Sequence, residues 1–138
     1  MKRLLFLMIG TLFFFSCSDD EKPSGNFING TKWRSIDSGS MYDNEGKLIY
    51  SYQEIYLLNF TNSTFTLNVN SKYDKNKDGI FEEEDSDTIN GNYKFDYPET
   101  TLASDDGKFT KKIKIDGNQI ITEKDKNDKS LIFTKIRE

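Results

Sequence analysis

Beyond residue 26 the chain reads as short runs of alternating apolar and polar positions, separated by turn-forming residues. Phe65, Leu67 and Val69 alternate with Thr64, Thr66, Asn68 and Asn70, the period-two pattern of a half-buried strand. Tyr93, Phe95 and Tyr97 alternate in the same way with Asn92, Lys94 and Asp96, and Phe109, Ile113 and Ile115 with Thr110, Lys112 and Lys114, Lys111 being the break. Asp116-Gly117 lies between that last run and Gln119-Ile120-Ile121-Thr122, a two-residue hairpin signal because both positions tolerate positive φ. Asn44-Glu45-Gly46, Asp105-Asp106-Gly107 and Lys126-Asn127-Asp128 punctuate similarly. In Glu54–Phe60 the apolar residues fall on both faces, and Tyr50, Tyr52, Ile55 and Tyr56 favour a strand there. The pattern predicts an all-β chain of seven or eight short strands joined mostly by hairpins, a small antiparallel meander barrel or strongly curled sheet.

The N-terminus follows another pattern. Met1-Lys2-Arg3 is basic, Leu4 to Phe15 is apolar or near-neutral, and Ser16-Cys17 places a small residue before a cysteine. That is the layout of a secretory signal peptide, and the apolar run is short of the about 20 residues a spanning helix needs. The stretch resembles a lipoprotein signal with Cys17 as the lipidated residue; the alternative is ordinary secretion with Cys17 left free. Ser18-Asp19-Asp20-Glu21 resembles the acidic tract that Bacteroidota lipoproteins use to reach the outer face of the outer membrane. The same residues, continued by Lys22 to Asn26, also make a solvated tether. A cysteine bearing two or more acyl chains, such as palmitate, anchors stably where one chain is marginal. The expected organisation is a signal peptide over 1–17, an acidic flexible tether over 18–26 and one domain over 27–138.

Processing at Cys17 removes Lys2 and Arg3 and leaves 17 basic against 23 acidic residues, net −6. An acidic chain of this kind disfavours nucleic acid as a partner. About 110 residues suffice for one core and not for two domains. Seven Phe, seven Tyr and Trp33 remain to fill that core, and a single cysteine allows no internal disulfide.

Asn29-Gly30-Thr31-Lys32-Trp33-Arg34 resembles the Gly-x-x-Trp opening of bacterial lipocalin-like domains, and Asn90-Gly91-Asn92-Tyr93-Lys94-Phe95 their mid-domain Gly-x-Tyr strand. The Asp116-Gly117-Asn118 hairpin and the Leu131–Ile136 strand are similar to their ending. The resemblance implies a meandering barrel with Trp33 plugging its closed end, a ligand cavity, and no common catalytic residues.

A second resemblance lies within residues 74–85, Asp-Lys-Asn-Lys-Asp-Gly-Ile-Phe-Glu-Glu-Glu-Asp, which is similar to the calcium loop of EF-hands and dockerins. Calcium takes six to eight oxygen ligands, and loop positions 1, 3 and 5 bring side chains to one centre. Those positions hold Asp74, Asn76 and Asp78; Gly79 stands at the sharp turn, Ile80 offers its carbonyl, and Glu82 and Asp85 hold positions 9 and 12. Asp85 replaces the usual Glu. The flanks are strand-like, so the expectation is a structural Ca2+ loop between two strands, with at most one helical turn at Glu82 to Glu84. The alternative is an acidic, solvated hairpin in which seven carboxylates between Asp74 and Asp87 repel one another.

No histidine is present and the sole cysteine is the lipidation candidate, which removes Ser-His-Asp triads, histidine zinc sites and thiol chemistry. Lys108, Lys111, Lys112 and Lys114 form a basic patch whose mixed phase reads as a solvated face. The expectation is a non-catalytic envelope lipoprotein, lipid-anchored in the outer membrane and exposed at the cell surface. In one reading its barrel binds a small apolar or amphipathic ligand, with Tyr50, Tyr52, Tyr56, Phe65, Tyr93 and Phe95 on the lumen. In the other those rings fill the barrel, and the domain acts as an accessory, inhibitor or partner of another envelope protein through its loops.

Overall fold

Strong alternation along the chain becomes eight strands in sequence order: β1 (Lys32–Tyr42), β2 (Leu48–Thr61), β3 (Thr64–Asp74), β4 (Glu82–Asp96), β5 (Glu99–Ser104), β6 (Thr110–Asp116), β7 (Gln119–Thr122) and β8 (Ile132–Lys135). The structure is a computed structural model that describes residues 27–126 and 128–137, for Glu83 its backbone alone. The expected signal peptide and tether, with Cys17, therefore lie outside the described residues. Every strand pairs antiparallel with its neighbour, and β8 returns to β1, so the sheet is a closed eight-stranded meander barrel. This is the architecture that the lipocalin-like resemblance implies. Closure pairs the strands all round at the level of the short strands, whereas β1 beyond Arg34 and β4 before Gly91 extend past their β8 and β5 neighbours.

The wall is uneven. Strands β1 to β4 run 11, 14, 11 and 15 residues, whereas β5 to β8 run 6, 7, 4 and 4. The first four are not the short strands that the alternation suggested. The ladder carries Glu82 opposite Tyr73 and Glu83 opposite Lys72, so Glu82 to Glu84 open β4 and form no helical turn. Pairing with β3, with Glu84 as the extra residue of a bulge, prevails over the helix preference of the three glutamates. The seam between β1 and β8 is short, held by the pairs Trp33–Lys135 and Arg34–Thr134 and by the Ile136 N–H on the Lys32 carbonyl at 2.8 Å.

One end of the barrel is packed shut. Ile28, Trp33, Phe60, Phe65, Ile115 and Ile120 are all 2% exposed or less there. The turn at Phe27–Gly30 folds across this end, tied by Gly30 N–H to the Phe60 carbonyl and Phe60 N–H to the Thr31 carbonyl. The Trp33 indole N–H donates to the Thr31 hydroxyl at 2.8 Å, so its polar edge is satisfied while its rings fill the core. The β6–β7 turn consists of Gly117 and Asn118, one residue later than the sequence pattern suggested, since Asp116 pairs with Gln119. Positive φ falls on Gly117, at +56°, as in hairpins with glycine at the first loop position.

Candidate functional site

Along a strand every second side chain faces the lumen, and the inward residues change character from the closed end to the open one. On β1 the series is Trp33, Ser35, Asp37; on β2 it is Phe60, Leu58, Tyr56, Glu54, Tyr52; on β6 it is Ile115, Ile113, Lys111. From β8 back into the loop before it, the series runs from Phe133 through Leu131 to Lys129. Apolar rings and branched chains close one half of the barrel, and the other half holds a cavity of about 430 Å³. Leu58, Leu67, Leu102, Ile113 and Phe133 form its floor, while Val69, Ile89, Phe109 and Leu131 form its walls. Asp37, Tyr52, Glu54, Tyr56, Lys111 and Lys129 bring polar groups toward its mouth, with Thr122 and Asp125 beside them. A mostly apolar concavity with a few convergent polar groups is the usual build of a small-molecule site, and its volume falls in the usual range.

The polar groups are largely matched to one another. The Lys129 ammonium pairs with the Asp37 carboxylate, bridging β1 and the β7–β8 loop beyond the short seam. The Tyr56 hydroxyl donates to Glu54 Oε2 at 2.5 Å. Burial first, then this hydrogen bond and the charge of Glu54, hold the Tyr56 phenol well above its ordinary pKa, because ionising it would place a second negative charge beside a carboxylate. Asp125 Oδ1 accepts the Lys129 N–H at 3.0 Å and so shapes the β7–β8 loop. Among the described residues Lys111 has no ion pair, although it lines the cavity and is only partly exposed. Tyr52 lies over Gly39, where a Cβ would come within 2.6 Å of the phenol oxygen.

Of the six aromatic residues assigned to the lumen from sequence, Tyr52 and Tyr56 line the cavity. Phe65 and Tyr93 are instead part of the packed core; the Tyr93 ring meets Phe60 edge to face at 5.0 Å, and its hydroxyl donates to the Asn62 carbonyl. Phe95 packs edge-on against Phe27 at 5.3 Å, and Tyr50 meets Tyr73 at 5.6 Å on the tall wall. The aliphatic floor and the charged groups at the mouth were not assigned from sequence. Lys111 had a visible signal: it stands at the inward phase between Phe109 and Ile113, so the apparent break in alternation is an inward lysine rather than a loss of register.

The calcium-type segment forms the β3–β4 hairpin loop at the open end. Asp74 is 6% exposed, and its carboxylate accepts the Asp78 N–H at 3.2 Å and the Gly79 N–H at 2.9 Å. The Asp78 carboxylate accepts the Ile80 N–H at 2.9 Å. Lys77 and Gly79 take φ of +61° and +82°, the left-handed values that let the chain turn back around Asp74. Asp74, Asn76, Asp78 and Ile80 thus share one tight loop. Glu82 and Asp85 belong to the β4 ladder, opposite Tyr73 and Ser71, and Glu84 pairs with Lys75 at 2.6 Å. No group of three or more acidic or cysteine side chains poised around one metal position occurs among the described residues.

Comparison with protein-family models, with curated proteins and with solved structures finds no match. The geometry of the cavity therefore carries the functional argument by itself.

Proposed function

We propose that this protein is a non-catalytic binding module whose barrel holds one small amphipathic molecule. The observation that carries the reading is the 430 Å³ cavity with an apolar floor and a polar mouth. A barrel filled by its own rings would leave no such space; here Trp33, Phe60, Phe65 and Tyr93 fill the closed half alone. An apolar tail would cover Leu58, Leu67 and Phe133, and a polar head would remain beside the groups at the mouth. The test is titration with N-phenyl-1-naphthylamine, a neutral dye that brightens in apolar surroundings. Saturable one-to-one uptake, lost when Val69→Trp fills the cavity, supports the reading. Absence of saturable uptake refutes it and favours a partner protein that contacts the loops.

Two further elements belong to the proposal. Lipidation at Cys17 would hold the domain at the outer membrane, facing the cell exterior, through the tether 18–26; the motif Ser16-Cys17 after an apolar run supports this. Metabolic labelling with palmitate, abolished by Cys17→Ala, tests it. Calcium would order the β3–β4 loop, with Asp74, Asn76, Asp78 and the Ile80 carbonyl as its first ligands and Glu82 and Asp85 supplied from β4. The left-handed Lys77 and Gly79 favour this reading, whereas the placement of Asp85 opposite Ser71 means the closing ligand is not gathered with the others. Extracellular calcium modules bind at about 10⁻⁴–10⁻³ M, so calorimetry to several millimolar decides the matter: heat abolished by Asp78→Ala establishes the site, and silence leaves a solvated hairpin.

A further inference from the structure

We propose that Lys111 is the head-group anchor of the cavity and that the ligand is a single-chain amphiphile with a carboxylate head and a medium-length tail. The inference rests on the ligand-binding reading above and narrows it to one class of molecule.

Lys111 is set among apolar groups. Along the chain it stands between Phe109, just before β6, and Ile113, and across the ladder it faces Leu102; Ile113 and Leu102 are 1% and 2% exposed. A cation drawn into such surroundings is costly unless a counter-charge meets it. The acids at the mouth are engaged elsewhere. Asp37 holds Lys129, and Asp125 is turned to the Lys129 backbone. Glu54 takes the Tyr56 hydroxyl and shares the field of Lys129 with Asp37. All of these lie on β1, β2 and the β7–β8 loop, whereas Lys111 stands on β6. Among the described residues its ammonium has no hydrogen-bond or ion-pair partner, so the natural counter-charge is one that arrives with the ligand.

The chemistry of the anchor limits the head. A lone ammonium is a point charge that suits a singly charged carboxylate; phosphate recognition typically draws on Arg forks or several donors, and no arginine lines this cavity. The volume limits the tail. A cavity of about 150 Å³ accommodates benzene, so on that scale 430 Å³ takes about 17 non-hydrogen atoms. Dodecanoate, with about 14, fits with its carboxylate at Lys111 and its tail against Leu58, Leu67 and Phe133.

The experiment is displacement of N-phenyl-1-naphthylamine from the purified protein by dodecanoate, dodecanol and dodecylamine, below their aggregation thresholds. A charge-assisted hydrogen bond corresponds to roughly tenfold to a hundredfold in affinity. Dodecanoate is expected to displace the dye at concentrations lower than dodecanol by that factor. Lys111→Met should erase the difference while leaving dodecanol binding intact, and that binding also certifies the fold of the variant. Lys111→Arg should retain the preference. Equal displacement by acid and alcohol in the unmodified protein overturns the inference, as does a preference that survives Lys111→Met. Strongest displacement by dodecylamine also overturns it, since Glu54 and Asp37 would then select the head. In each of those cases the dye still binds and the cavity reading stands; failure of the dye to bind at all removes both.

Discussion

Replacing Gly91 by alanine separates what this structure says from what general rules say. A strand-interior glycine weakens a strand, and Gly→Ala at a compatible site stabilises by about 0.4–1 kcal/mol, mainly by restricting the unfolded chain. Gly91 lies where β4 begins its pairing with β5, opposite Ser104. A Cβ built there would sit 2.1 Å from the Ala103 carbonyl oxygen, 2.8 Å from its carbon and 2.7 Å from Phe65 Cε1, where ordinary contact begins at 3.4 Å. The two backbones must part by more than an ångström, and the buried Phe65 ring must also give way. Overpacking of this kind costs about 1–3 kcal/mol. Loosening a neighbouring bond such as Asp105 N–H to the Asn90 carbonyl, 3.0 Å long, adds about 1 kcal/mol. The net expectation for Gly91→Ala is a loss of about 2–3 kcal/mol, read as a urea midpoint lower by roughly 1–2 M and a Tm lower by roughly 10–20 °C. Gly39→Ala is the companion. Its Cβ would meet only the end of the Tyr52 ring, at 2.6–2.9 Å, and that ring can swing. Stability should change by less than about 0.5 kcal/mol, while dye affinity shifts because Tyr52 lines the cavity. A Gly91→Ala protein as stable as the parent, or a Gly39→Ala protein as damaged as Gly91→Ala, would refute the reasoning.

Thr100 is 1% exposed, and its hydroxyl has no hydrogen-bond partner among the described residues; Thr100→Val should raise stability by about 1 kcal/mol, and a loss on urea melting would show that the hydroxyl is satisfied after all. The Tyr56 phenol has its folded pKa raised, so its contribution is complete below the unfolded value of about 10 and is lost as pH rises beyond it. Melts between pH 9 and 11 should therefore show falling stability that Tyr56→Phe makes less steep; an unchanged slope contradicts the assignment. For the Asp37–Lys129 pair, whose side chains are 18% and 46% exposed, a double-mutant cycle with Asp37→Asn and Lys129→Met should give a coupling of about 0.5–1 kcal/mol that shrinks in high salt. Zero coupling at low salt would mean the pair does not brace the barrel beyond its seam.

The strands were legible where alternation was clean. Phe65 to Val69, Thr110 to Ile115 and Gln119 to Thr122 all fall within strands, with Phe109 just before β6, and the meander follows from short turns at Asn62-Ser63, Tyr97-Pro98 and Gly117-Asn118. Their full length was not legible, for a physical reason. The outer parts of β1 to β4 rise past the lumen of the shorter strands, and there no core exists to demand an apolar residue at every second position. Residues Glu82 to Asp85 read as the end of a calcium-type loop, with a helical turn at Glu82 to Glu84, yet the ladder with β3 needs only their backbone groups. The aromatic residues misled for the converse reason. Size alone marks a ring as interior, but depth decides its role: Phe65 and Tyr93 are consumed by the closed end, whereas Tyr52 and Tyr56 reach the cavity.

The same distinction explains why the site was half hidden. A cavity in a small barrel is made by what the inward positions omit as much as by what they contain. Toward the closed end those positions hold Trp33, Phe60 and Ile115; toward the mouth they hold Asp37, Glu54 and Lys111. A sequence scan that scores each strand by its apolar face treats the latter residues as errors in the period. Taken in phase across strands, they form one layer, since β1, β2 and β6 each change from apolar to charged within two or three inward steps. Such agreement between strands joined only through long-range pairing is hard to attribute to surface solvation, because an outward lysine such as Lys112 or Lys114 needs no partner at a given height. A charged residue at the inward phase costs free energy in a packed barrel, so a layer of them points to a barrel that remains open at that level. Lys111 is the sharpest instance: one substitution to methionine would restore the alternation of β6, and the protein carries a cation there instead.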